Sequence, residues 1–217
     1  MMRRVRLEVI FTVGLILCGL LLTGLISHAL PFTDDFDRAE PGKSPPQWQD
    51  EGDVKAVCTV VDKSVLEPHS PPYCLRMVDD SPGAAAQVSR LFLDQAKGVL
   101  TFAFYIPSDT PGDFYCTLVK QGERVIDISF SSGGNVKYRD NSGSLKETGK
   151  KYTQDAWHVV ELRWDAERGT YAFTVDNEEC FEGPMIKKVA PERLVFKLGA
   201  SNKVGQIGYV DTVVVKE

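Results

Sequence analysis

Short runs in which apolar and polar residues alternate with a period of two recur along most of this chain. In "RVIDISF", Ile126, Ile128 and Phe130 share one face, while Val125, Asp127 and Ser129 share the other. In "WHVVELRW", Val160, Leu162 and Trp164 stand opposite Val159, Glu161 and Arg163. Side chains alternate across a strand, so one apolar and one polar face describes an antiparallel sheet with one buried side.

Runs of this kind, rich in β-branched and aromatic residues, lie between Gly, Pro, Asn and Asp breaks. They are read as Lys55–Asp62, Cys74–Asp79, Gln87–Leu93, Val99–Ile106, Phe114–Lys120, Arg124–Ser131, Val136–Arg139, Trp157–Asp165, Thr170–Asp176, Arg193–Gly199 and Ile207–Val215. No stretch carries an apolar stripe of helical period over three turns. "DSPGAAAQVSRLF" has room for one helical turn at Ala84–Ala86, limited by Pro82 and Gly83. "RDNSGSLKETGKKY" reads as an exposed hairpin and loop, and the Pro-rich "LEPHSPPY" as a loop joining two strands. Many short strands with turns at close spacing predict an all-β, two-sheet antiparallel sandwich.

The N-terminus is of a different kind. Arg3, Arg4 and Arg6 precede an apolar run from Val9 to Ile26, and Ser27-His28-Ala29 follows. This pattern predicts a signal peptide over residues 1–29, cleaved after Ala29, with a single domain over 30–217. The apolar run is also close to the minimum for a membrane span, so an uncleaved anchor over residues 7–27 is the alternative. Either way the domain is expected to be secreted, periplasmic or extracellular, touching a membrane only through that segment. Losing three Arg and one Glu takes the formal charge from −5 for the whole chain to −7. An acidic domain without a block of Lys and Arg excludes nucleic acid as the expected partner. Cys58, Cys74, Cys116 and Cys180 remain, and an oxidising compartment predicts at least one disulfide among their three possible pairings. None has the spacing of a zinc site.

Three segments in order carry a resemblance: "DDFDRAEPGKSPPQW", "WHVVELRWDAERGTYAFTVDNEECFEG" and "GQIGYVDTVVVKE". Together they resemble the concanavalin A-like lectin/glucanase superfamily of jelly rolls, in its LamG-like branch. That resemblance covers most of residues 32–217. It implies a hairpin between Trp157–Asp165 and Thr170–Asp176, and first and last strands lying side by side over Phe36, Val210 and Val213. One departure is Asn177 at the expected hairpin glycine, where Asn tolerates the left-handed backbone.

The resemblance also implies a structural Ca²⁺ near the chain ends, with Asp35 and Asp211 as ligands and Asp34 as a substitute. Hard cations of this kind take oxygen ligands. The competing reading is that Asp35 caps a turn and Asp211 sits on a sheet edge. For a carbohydrate or another cell-envelope component, the expected ligand-binding face carries Tyr115, Asp127, Arg139, Glu161 and Arg163. The competing reading there is an ordinary solvated sheet face. Glycan hydrolysis needs two suitably spaced carboxylates. The Glu-x-Asp-x-x-Glu strand motif of the glucanase branch is absent, which leaves only Asp127 with Glu161. The strand signatures of the lyase branch are absent too, and His69 and His158 read as structural. The expected function is therefore a non-catalytic, exported binding domain. The alternatives are a divergent glycan-active hydrolase or lyase, and a structural or adhesive envelope protein with no small ligand.

Overall fold

The structure is a computed structural model that describes residues 32–199 and 203–217. The expected signal or anchor segment lies outside the described residues. Among those residues, no helix is long and apolar enough to cross a membrane.

Among the described residues, fifteen strands follow one another. They are β1 (Phe32–Asp34), β2 (Gln49–Asp50), β3 (Ala56–Asp62), β4 (Tyr73–Asp79), β5 (Ala86–Leu91), β6 (Lys97–Tyr105), β7 (Phe114–Lys120) and β8 (Glu123–Phe130). Then come β9 (Asn135–Arg139), β10 (Leu145–Lys151), β11 (Trp157–Asp165), β12 (Thr170–Val175), β13 (Glu178–Pro184), β14 (Arg193–Leu198) and β15 (Gln206–Lys216). They form two antiparallel sheets packed face to face. The first runs β13-β12-β11-β6-β15-β4-β3 with β1 against β15, and the second runs β10-β9-β8-β7-β14-β5-β2. The expected all-β sandwich is what the chain forms.

The terminal strands pair as the resemblance implies. Phe32 lies opposite Val215 and Asp34 opposite Val213. The last strand breaks register between Asp211 and Val214, and Thr212 there takes φ 51°. On one edge of β15, β4 pairs with Gln206–Val210 and β1 with Val213–Val215. Phe36, Val210 and Val213 are buried. The hairpin from β12 to β13 turns on Asp176 and Asn177 with φ 50° and 66°, so Asn177 does take the left-handed role expected of it.

The core is an aromatic stack between the sheets. Phe104 of the first sheet meets Phe130 of the second with centroids 4.1 Å apart, and Phe102 meets Phe196 at 5.0 Å. Such pairs add about 0.5–1.5 kcal/mol beyond the area they bury. Trp48 and Trp164 are buried in this core as well. His158 is buried with both ring nitrogens engaged, Nδ1 with Asp176 Oδ2 at 2.5 Å and Nε2 with the Thr153 carbonyl at 2.6 Å, the structural role expected of it.

Several expectations are corrected. Ala84–Ala86 forms no helical turn, because β5 begins at Ala86 and pairs with β14. Two strands the alternation does not reveal, β10 and β13, each form an edge of one sheet, at the same end of the sandwich. All four cysteines among the described residues are free thiols. Cys58 and Cys116 point into the core from different sheets, and Cys180 sits on the edge strand β13. Cys74, on β4, falls on the opposite parity to its buried neighbours Leu75 and Met77, beside Asp211.

Candidate functional site

The outward side chains of the second sheet form a groove rather than a flat face. On β7, Phe114, Cys116 and Leu118 point into the core, which sends Tyr115, Thr117 and Val119 outward. Register places Thr117 opposite Asp127 and Val195, and Tyr115 opposite Ser129 and Lys197. The chain leaving β13 crosses over and walls this face, where the Ile186 amide donates to the Val125 carbonyl at 3.0 Å. Arg139 reaches the β9–β10 turn, donating through Nη1 to the Gly143 carbonyl at 2.8 Å. The groove between these walls encloses about 520 Å³, within the span of about 300–1,000 Å³ usual for ligand sites. A smaller cavity of about 200 Å³ adjoins it, lined by Tyr115, Thr117, Arg124, Asp127, Arg139 and Lys197, with Gly199 at one end.

Every acid in the groove is engaged. Asp127, only 1% exposed, accepts from Thr117 Oγ1 at 3.0 Å and from Arg139 Nε at 2.7 Å, with Arg124 Nε at 3.6 Å. Glu51 accepts from Gln87 Nε2 and Ser89 Oγ, with Arg193 at 3.8 Å. Glu123 at the rim pairs with Lys187 at 3.0 Å. Burial, then the carboxylates of Asp113 and Asp127, push the Tyr115 phenol up against the pull of Arg139 and Arg124. Tyr115 therefore stays protonated at neutral pH and can donate a hydrogen bond from a half-buried ring.

Of the expected ligand-binding residues, Tyr115, Asp127 and Arg139 are brought together here. Glu161 and Arg163 are not. They lie on β11, in the other sheet, and pair with each other at 2.7 Å on its outer face. Packed sheets stand about 10 Å apart, and Asp127 and Glu161 both point away from the core between them. They cannot flank one glycosidic bond across the about 5–10 Å that hydrolysis uses. Alternation tells which residues face outward but not which sheet carries them. Residues the alternation left out are Glu51, Arg124, Arg193 and Lys197. Lys197 was within its reach, standing between inward Phe196 and Leu198. Arg124 sits at the register break of β8, where parity fails.

The expected cation residues lie elsewhere, at the outer face of the first sheet. Asp211 is fully buried beneath the Pro-rich loop before β4. It accepts from the Ser70 amide at 2.7 Å and from the Thr212 amide at 2.6 Å. Burial pushes its carboxyl up to about 6, the two amides lower it, and the charges of Asp37 and Asp35 add to the rise. Asp34 does not join them, because it pairs with Arg90 and accepts from Trp48 Nε1 at 2.9 Å. Asp35 itself accepts from the Asp37 amide at 3.2 Å, closing a turn. Among the described residues, no group of three or more His, Cys, Asp or Glu is placed to hold a metal ion. The protein side chains alone thus supply an incomplete shell for Ca²⁺, which takes six to eight oxygens.

No family model matches the chain, and no curated protein matches it. Solved structures do. A sialidase superposes with TM-score 0.72 at 15% identity over 88% of this chain, which spans only 19% of that chain. Apo Crh5 transglycosylase superposes with TM-score 0.62 at 13% identity, covering 87% of this chain and 85% of its own. A glycosyl hydrolase family protein from Mycobacterium fortuitum gives 0.59 at 16% identity, covering 85% of this chain and 98% of that one. Similarity at this level concerns the fold. With the two antiparallel sheets, it makes the architecture a concanavalin A-like jelly roll. Glycan-active proteins are among its structural neighbours.

Proposed function

We propose that this chain is a non-catalytic carbohydrate-binding domain that takes a glycan along the groove of the second sheet. The observation that carries the reading is the saturation of the groove acids. Asp127 and Glu51 each accept from two side chains and lie beside an arginine, and Glu123 pairs with Lys187. Hydrolysis of a glycoside uses one carboxyl as proton donor and another as base or nucleophile, and no pair here is free for those roles. Tyr115 at the groove offers a ring for a sugar to stack on and a hydroxyl to bond, which suits binding. The glycan-active structural neighbours support the ligand class. A glycan array with the exported domain tests the reading, beside Tyr115→Ala. Binding that the variant weakens supports it. Release of new reducing ends, or of unsaturated products, overturns its non-catalytic part.

The address is a proposal of the same kind: a secreted, periplasmic or extracellular domain, supported by the basic head and apolar run of residues 1–29. Mass spectrometry of the mature protein tests cleavage after Ala29. A Ca²⁺ ion at Asp35 and Asp211 is a separate proposal, supported by the buried negative charge that gathers there. Melting with and without a chelator tests it, because a bound ion must raise stability by mass action.

A further inference from the structure

The chain as a whole is acidic, with 30 Asp and Glu against 25 Lys and Arg. Its groove is not. Arg193 and Lys187, which line only the larger part, are each matched by an acid of their own, Glu51 and Glu123, while Arg124, Arg139 and Lys197 line both parts. In the smaller cavity the balance fails. Arg124, Arg139 and Lys197 line it with a single acid, Asp127. That carboxylate is shared by both guanidinium groups and cannot neutralise two charges. Lys197 makes no ion pair among the described residues. Arg124 keeps 57% of its side chain exposed, so its fork remains open to an incoming acceptor.

We infer that the groove selects an anionic saccharide, with its carboxylate or sulfate seated between Arg124, Arg139 and Lys197 beside Tyr115. This rests on the carbohydrate-binding reading of the same groove and names its ligand class. A neutral sugar would leave the excess positive charge without a partner in a partly enclosed space. An anionic substituent meets charge-assisted donors there, which are the stronger hydrogen bonds. Asp127 acts by holding the two guanidinium groups in place, and is a positioning residue. The rest of the larger groove, where Arg193 and Lys187 have acids of their own, would take the neighbouring sugars of the same chain. Nucleic acid does not fit this distribution, since phosphate backbones need an extended basic stripe rather than one small cavity.

The experiment measures affinity of the exported domain for matched polymers: a polyuronate and its carboxyl-reduced form, and a sulfated polysaccharide and its desulfated form. The expected result is binding to the acidic member of at least one pair, lost on neutralisation and weakened by salt. The two pairs tell carboxylate from sulfate. Lys197→Gln and Arg124→Gln should each weaken it about tenfold, one charged hydrogen bond lost. Both act on side chains that no buried acid relies on alone, so the fold is kept. Equal binding to acidic and neutral members overturns the inference and leaves the carbohydrate-binding reading standing. Unchanged affinity in both variants overturns the inference in the same way. Binding to none of the polymers, nor to any arrayed glycan, overturns the reading and the inference with it.

Discussion

Arg139 donates through Nε to one oxygen of Asp127 at 2.7 Å, while Thr117 donates to the other at 3.0 Å. This buried carboxylate ties three neighbouring strands, β7, β8 and β9, on the groove side of the sheet. Asp127→Ala would leave the Thr117 hydroxyl and a largely covered guanidinium without their acceptor. The expected cost is about 2–4 kcal/mol, in the range for breaking a buried charged pair. Asp127→Asn keeps the Thr117 bond and should cost less. Urea unfolding checks both, with the midpoint lowered and the slope unchanged. Equal stability of Asp127→Ala and the parent would show that the pair contributes nothing.

Asp211 gives stability a defined dependence on pH. Its folded carboxyl is raised to about 6, chiefly by burial, against about 3.9 in an unfolded chain. Between these values the folded state binds the proton more tightly than the unfolded state does. The Asp211 contribution is therefore unfavourable at neutral pH. It improves as pH falls through about 6 and the gain is complete below about 4. Other carboxylates respond in the opposite sense, so the difference between parent and Asp211→Asn is the quantity to follow. That variant should be the more stable near neutrality, and the gap should close as pH is lowered towards 4. A gap that stays constant over this window would exclude a buried ionised Asp211.

The strands that form the core were legible because their side chains alternate. Phe102, Phe104, Phe130 and Phe196 all fall on the inward parity of their runs. The terminal pairing was legible only through the resemblance, since β1 has three residues and β2 two, too few to show a period. β10 and β13 escaped because "LKETGKK" and "EECFEGP" carry little apolar alternation. They are edge strands, where polar side chains are what protects an open edge. The groove was half legible. Tyr115, Asp127 and Arg139 share an outward parity, but parity does not separate one sheet from the other, and this is how Glu161 and Arg163 were grouped with them. Ile186 and Lys187, which wall the site, come from a connection with no period at all.

Gly98 and Trp164 face one another across β6 and β11. A Cβ on Gly98 would lie 2.3 Å from Trp164 Cζ2 and 2.6 Å from Cη2. The indole is buried, and its Nε1 donates to the Gln95 carbonyl at 3.0 Å. The ring therefore lies flush on the strand where only glycine leaves room. Gly98→Ala must push the ring off its hydrogen bond or bend the strand, an overpacking cost of about 1–3 kcal/mol. Thermal melting reads that loss, and tryptophan emission should shift towards that of a wetter indole. A variant that melts with the parent would mean that the indole has a second resting place.

Cys58, Cys74 and Cys116 are buried and Cys180 is half-buried, all as free thiols. Burial raises each of them, Cys74 to about 12 and Cys116 well above the ordinary thiol value. A buried thiol is a poor nucleophile because the thiolate is the reactive form. Alkylation of the native domain should therefore modify Cys180 first and leave the other three untouched. Denaturant should expose all four, and intact mass after alkylation counts them directly. A reductant should leave the melting temperature unchanged, since there is no bridge whose loss would loosen the folded state or free the unfolded one. Two thiols that stay closed to alkylation in denaturant, and open only after reduction, would establish a disulfide instead.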